Sequence, residues 1–206
     1  MRRVLPLLAC VFLASAPASG QTAASQWTFS ATVATYAVPD QPNYVQPTIT
    51  ADRDWFHMEA RYNYEELRTG SLWVGNNFGG EGKVAWELTA MLGGVFGEFT
   101  GVAPGYKAAL SWGKLDFYSE GEQVIDTAEP SDSFFYNWSE AAISPAGWLR
   151  LGLVTQRTRA YDSDRDIQRG FLAGVTYGRL EATTYVFNPD DEPTIVVSVG
   201  WALELD

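Results

Sequence analysis

Charge in this chain sits at alternate positions of short segments, and that spacing decides what chemistry it can do. His57, Glu59 and Arg61 are two apart, as are Glu120 and Glu122, with Asp116 four residues earlier. Glu87, Lys107, Arg150 and Glu181 each stand on the polar side of a similar segment. Residues two apart in an extended chain point the same way, so these groups converge on one surface if the segments are strands of one sheet. Counting from the connections brings Arg61 near Trp73, and Trp73 near Glu87. That predicts a Glu59–Arg61–Glu87 cluster leaning on the indole ring by ion pairing and a cation–π contact. Lys107 comes near Tyr118 and Glu120 across the WGK turn. Such an array serves either as a network that fills an interior or as a charged constriction that sorts solutes by sign. Acids outnumber bases in it, which favours cations or zwitterions.

Catalysis finds little to work with. His57 is the single histidine, and two residues along stands Glu59, not a serine. A hydrolase would need its nucleophile from a neighbouring strand, with Glu59 orienting His57. The bland expectation is packing, with His57 hydrogen-bonded near Thr50 or Asn77. Asp116 and Glu120 are about 13 Å apart on an extended strand, too far for a glycosidase acid and base. Asp162, Asp164 and Asp166 imitate the opening of a calcium loop, but Ile167 stands where glycine is needed and Ala173 where glutamate is needed. No motif implies a cofactor or metal.

The elements that must position these groups are strands. Period-two alternation runs from Trp27 to Leu205. Ile195, Val197, Val199, Trp201, Leu203 and Leu205 share one face, and Thr194, Val196, Ser198, Gly200, Ala202 and Glu204 the other. The pattern predicts twelve strands near 27–37, 44–51, 55–65, 69–78, 83–96, 101–112, 114–124, 134–143, 148–160, 167–177, 179–188 and 194–205. The count falls to ten if 44–51 and 101–108 lie outside the bilayer. In the eighth, Phe134, Tyr136 and Trp138 read as an outward row that would carry Glu140 with them onto the lipid face, unless a bulge after Trp138 restores it to the lumen. Connections near ADRD, GGEG, WGK, SPAG and YGR are tight, and the alternate ones are mostly longer and more acidic. Transmembrane barrels sort their loops by parity in this way; a secreted β-sandwich has no reason to.

Residues 1–20 read as an export signal: Arg2 and Arg3, an apolar run from Val4 to Ala14, then ASAPASG. Residues 21–206 then form one domain. Without Arg2 and Arg3 the formal net charge falls from −11 to −13, which makes nucleic acid an unsuitable partner. Cys10 is the only cysteine and lies in the signal, so disulfides and thiol chemistry are excluded from the remainder.

On these residues the chain resembles bacterial outer-membrane β-barrel proteins as a broad class. The segment TIVVSVGWALEL looks like the C-terminal assembly signal of that class, departing from it by ending on Leu205 and Asp206 where an aromatic is usual. The resemblance implies an all-β, antiparallel up-and-down transmembrane barrel, monomeric in a Gram-negative outer membrane. The expected role is a passive pore for small solutes with a charged lumen. The alternatives are a side-chain-plugged structural or adhesive barrel and, from another class, a lipid hydrolase using His57. Arg157, Arg159 and Arg169 stand apart on the lipid-facing side. Counting from the loop between them sets Arg157 opposite Arg169 and Arg159 opposite Ile167. Like charges so placed repel unless an anion lies between them, and lipopolysaccharide phosphate suits arginine's fork. The alternatives are a bulge that turns them inward, or neutralisation by Asp162, Asp164 and Asp166.

Overall fold

The computed structural model describes residues 26–160, 166–190 and 192–205. The expected export signal with Cys10, and Asp162 and Asp164, lie outside the described residues. Twelve strands follow in order: β1 (Trp27–Ala37), β2 (Tyr44–Arg53), β3 (Phe56–Tyr62), β4 (Thr69–Gly80), β5 (Ala85–Gly97), β6 (Gly101–Trp112), β7 (Leu115–Asp126), β8 (Phe134–Ala146), β9 (Leu149–Ala160), β10 (Asp166–Tyr177), β11 (Leu180–Phe187) and β12 (Thr194–Leu205). Each pairs antiparallel with its neighbours in sequence, and β1 pairs with β12, which closes the sheet into a barrel. Closure leaves no strand edge to be satisfied, a condition the bilayer imposes on any sheet that crosses it. The ten-strand alternative fails, because β2 and β6 are both hydrogen-bonded on two sides.

Alternation sets the two faces. Along β12, Ile195, Val197, Val199 and Trp201 are exposed on the outside, whereas Val196 is buried inside. Val74, Leu92, Val102, Leu153 and Phe171 continue the outward apolar surface around the barrel. Short connections at one end, 54–55, 113–114, 147–148 and 178–179, alternate with longer ones at the other, such as 38–43, 63–68 and 127–133. Asp54, Gly113 and Gly178 take the left-handed conformation at the first position of three of the short turns (φ 52°, 63° and 62°).

The eighth strand corrects the expectation made for it. There is no bulge after Trp138; the register shift lies between Ile143 and Ala146. Tyr136, Trp138 and Glu140 therefore share one face, and that face is the lumen, where Trp138 and Glu140 are both buried. Aromatic residues here fill the interior instead of meeting lipid. One interior cluster joins Tyr36, Trp138, Val154, Leu172, Phe187 and Val196. A second joins Trp73, Met91, Val95, Phe99, Ala103 and Val124. The Trp73 ring lies flat over Gly93, where a Cβ would come within 2.5 Å of the indole, so only glycine leaves room for it.

Candidate functional site

Each of the eleven predicted lumen residues falls on a lumen-facing strand position, and the barrel gathers most of them into two groups. The larger group is centred on Glu59, which is 4% exposed although it is a carboxylate. Arg61 Nε donates to Glu59 Oε1 at 2.6 Å, His57 Nε2 faces Oε2 at 3.2 Å, and Lys107 Nζ donates to Oε2 from β6. Arg61 Nη1 reaches Glu122 Oε2 on β7 at 2.7 Å. The guanidinium is held between two rings, 4.2 Å from Tyr64 and 4.5 Å from Trp73. Desolvating so many charges is costly unless each is both paired and hydrogen-bonded, and this geometry meets that requirement for Arg61 and Glu59.

Glu87 is not part of that group. Register pairs Glu87 with Gly79, far down β4 from Trp73, whose own partners are Glu59 and Gly93. The second carboxylate on Arg61 comes instead from Glu122, across the lumen, a contact that counting along hairpins does not reveal. Lys107 is the register partner of Glu120, as the turn predicted, yet its ammonium crosses to Glu59. Glu120 is held by two phenols, Tyr64 at 2.5 Å and Tyr118 at 2.7 Å.

The smaller group is Asp116, Glu140 and Arg150. Arg150 Nε and Nη2 both donate to Asp116 Oδ1, at 2.9 and 2.5 Å, and Nη1 donates to Glu140 Oε2 at 2.6 Å. Trp138 Nε1 donates to Glu140 Oε1 at 2.8 Å. Sequence reasoning missed Glu140 because the aromatic row of β8 was assigned to lipid. It also missed Asp52, whose Oδ1 lies 2.7 Å from His57 Nδ1 and accepts from Asn77 Nδ2 at 2.8 Å. The signal was available: Asp52 stands two residues after Thr50 on the polar face of β2.

His57 thus has a carboxylate against each ring nitrogen, and neither nitrogen is left to activate a hydroxyl. Thr50 and Asn77, the partners expected for it, do not hydrogen-bond to it; Asn77 donates to Asp52 instead. Among the described residues no group of three or more His, Cys, Asp or Glu is arranged to hold a metal ion.

The two groups occupy β3 to β9. The remaining wall, on β1, β2, β11 and β12, carries small hydroxyl residues over the part nearest the short turns, Thr28, Ser30, Thr32, Thr48, Thr50, Thr183 and Ser198, and larger side chains, Tyr36, Tyr185 and Val196, towards the long loops. Its charges, Asp52 and Glu181, lie next to the short-turn end. A cavity of about 430 Å³ runs between the two walls, from Asp54 and Phe78 at that end to Tyr36, Tyr64 and Tyr136 near the long loops.

Two predicted positions on the outside need correction. Arg157 pairs with Ile167 and Arg169 with Thr155, so the arginines are diagonal neighbours and not directly opposite. The register between β9 and β10 is shifted by two residues from the count. Arg157 and Arg169 remain on the outward face. The side chain of Arg159 lies outside the described residues.

Comparison with known proteins gives a likeness in fold alone. No family model matches the chain, and no curated protein does. Among solved structures, the KdgM porin superposes with a TM-score of 0.57 at 8% identity, covering 84% of this chain and 98% of the porin. The KdgM porin in complex with disordered oligogalacturonate gives 0.54 at 7% identity, with coverage of 84% and 98%. Omp33, an outer-membrane protein of Acinetobacter baumannii, gives 0.47 at 10% identity, with coverage of 87% and 99%. A closed twelve-strand antiparallel sheet, an apolar outer belt and the likeness to the KdgM porin lead to one statement: the chain has the fold of the outer-membrane β-barrel porins.

Proposed function

We propose that the protein is a narrow passive channel for small solutes, with an anionic lumen that favours small cations and zwitterions. The observation that carries this reading is the asymmetry of the interior. The charged groups lock onto one another along one wall, and the opposite wall, over the part nearest the short turns, is lined by short hydroxyl side chains that border a cavity of about 430 Å³. Hydroxyl groups replace water for a passing solute without holding it, as conduction requires. Lumen carboxylates outnumber the cations Arg61, Lys107 and Arg150, and Glu87 makes no ion pair among the described residues. An acidic oligosaccharide such as the oligogalacturonate bound to the KdgM porin is therefore an unsuitable solute here.

A plugged structural barrel is the second reading, favoured by rings packed near the long-loop end. Tyr36 and Tyr44 stack at 4.8 Å, and Trp138 packs edge-on to Phe187 at 5.2 Å. Recording from folded protein in a planar bilayer separates the two. A channel gives discrete conductance steps, with a reversal potential in a potassium chloride gradient shifted towards cation preference. A silent bilayer, with folding verified by heat-modifiable gel migration, leaves the plugged barrel.

A further inference from the structure

On the described strands no Asp or Glu occupies an outward-facing position, and most of the outward surface is apolar from end to end. The half of β7 to β10 nearest the long loops is the exception. Register aligns Ser119, Ser139, Thr155 and Arg169 in one row across these strands, with Asn137 and Arg157 paired in the next. At corresponding places β4, β5 and β12 carry Leu72, Leu92 and Val197.

Most of this patch satisfies itself. Tyr106 lies over Gly121, where a Cβ would come within 2.8 Å of its ring. That brings its hydroxyl to 3.2 Å from Ser119 Oγ and lets it accept from Asn137 Nδ2 at 3.1 Å. Ser119 and Ser139 are hydrogen-bonded at 3.0 Å. Arg157 is different. Its guanidinium packs 5.7 Å from the Phe135 ring, and its Nε is shielded from solvent with no hydrogen-bond partner among the described residues. A shielded cationic donor with no acceptor is costly at any depth. Cations on the lipid face are tolerated only towards the interface, which is where β9 places this one.

The geometry points to a binding site for the phosphorylated sugar headgroup of outer-leaflet lipopolysaccharide, with Arg157 and Arg169 holding phosphate. As diagonal neighbours on adjacent strands, the two arginines are about 7–8 Å apart at the backbone, within reach of one phosphate group by long side chains that bind it through paired N–H donors. The hydroxyl and amide bed beside them suits a sugar. Below them Leu153 and Phe171 continue the apolar surface that acyl chains need. A groove joins Thr155, Arg169 and Phe171 to Asn188 and Asp190 of the β11–β12 loop. Asp190 makes no ion pair with Arg169, which is left for an anion, and Arg157 stands beside the groove as its diagonal neighbour. A second copy of the chain is the poorer occupant, because no described strand offers an outward carboxylate to meet the arginines.

The test measures lipopolysaccharide retained by protein extracted from outer membranes in mild detergent, assayed by its acidic octulosonate sugar and normalised to folded barrel. The Arg157→Ala/Arg169→Ala variant retains about tenfold less than the parent, the loss expected when charge-assisted hydrogen bonds are removed. Arg157→Lys/Arg169→Lys, which keeps charge and folding but loses the fork, falls between. Arg53→Ala, which removes an arginine packed on Trp27 at the short-turn end, changes nothing. Equal retention by all variants, or an alanine pair that turns a dimeric parent into a monomer without losing lipid, overturns the assignment.

Discussion

The two walls of the lumen are made from the same alternating pattern yet do opposite things. On β3 to β9 the inward positions carry long charged and aromatic side chains that reach across the interior and fix one another. On β1, β2, β11 and β12, below the rings of Tyr36, Tyr185 and Phe187, they carry mostly short hydroxyl groups that stop near the sheet. Ser30 and Thr50, 2.7 Å apart, bond only across one strand pair, whereas Arg61 on β3 is tied to Glu122 on β7. Filling on one side stabilises the barrel, and in the proposed channel the restraint on the other side is what leaves room for a solute.

The comparison breaks first at Arg61. Arg61→Ala leaves Glu59 and Glu122 buried without their main counter-charge, and such a loss costs about 3–5 kcal/mol. A lowered urea midpoint of the refolded barrel in detergent, followed by heat-modifiable migration, reads this directly. A midpoint within error of the parent's means that the charged wall does not hold the barrel together.

Gly93→Ala tests the same wall through packing. The added methyl meets the Trp73 ring, and displacing that ring costs about 1–3 kcal/mol, while Arg61 loses one of its two aromatic contacts. Tryptophan fluorescence should move with the stability, since Trp73 is 1% exposed in the folded protein. An unshifted spectrum in a destabilised variant would mean that another part of the structure gave way.

Thr50→Ala gives the smallest effect on stability, at most about 1 kcal/mol, because it removes one hydrogen bond beside a wet cavity. If it destabilises as much as Gly93→Ala, the distinction between the walls is lost.

How far the sequence made these walls legible follows from what alternation encodes. Strand spans, strand number and the inward position of His57, Glu59, Arg61 and Glu122 all follow from a period of two, which needs only local information. Pairing across the lumen does not, because Arg61 and Glu122 are brought together by closure of the barrel and by the reach of their side chains. Glu140 was misread for a related reason. Phe134, Tyr136 and Trp138 look like a lipid-facing row, but a narrow lumen is itself partly apolar, so hydrophobicity alone does not tell inside from outside. Arg157 and Arg169 were assigned to the correct face and misplaced by two residues along the strand, since loop length fixes register and loop length is the least readable quantity in an alternating sequence.

The central claim is that solutes pass along the hydroxyl wall. Single-channel recording of the parent beside Ser198→Trp tests it most directly, because Ser198 faces the cavity and lies away from both charged groups. The parent should conduct, and the variant should fold normally but conduct several-fold less, because an indole replaces a hydroxymethyl group in a narrow passage. Unchanged conductance in Ser198→Trp, or no conductance from the folded parent, would contradict it.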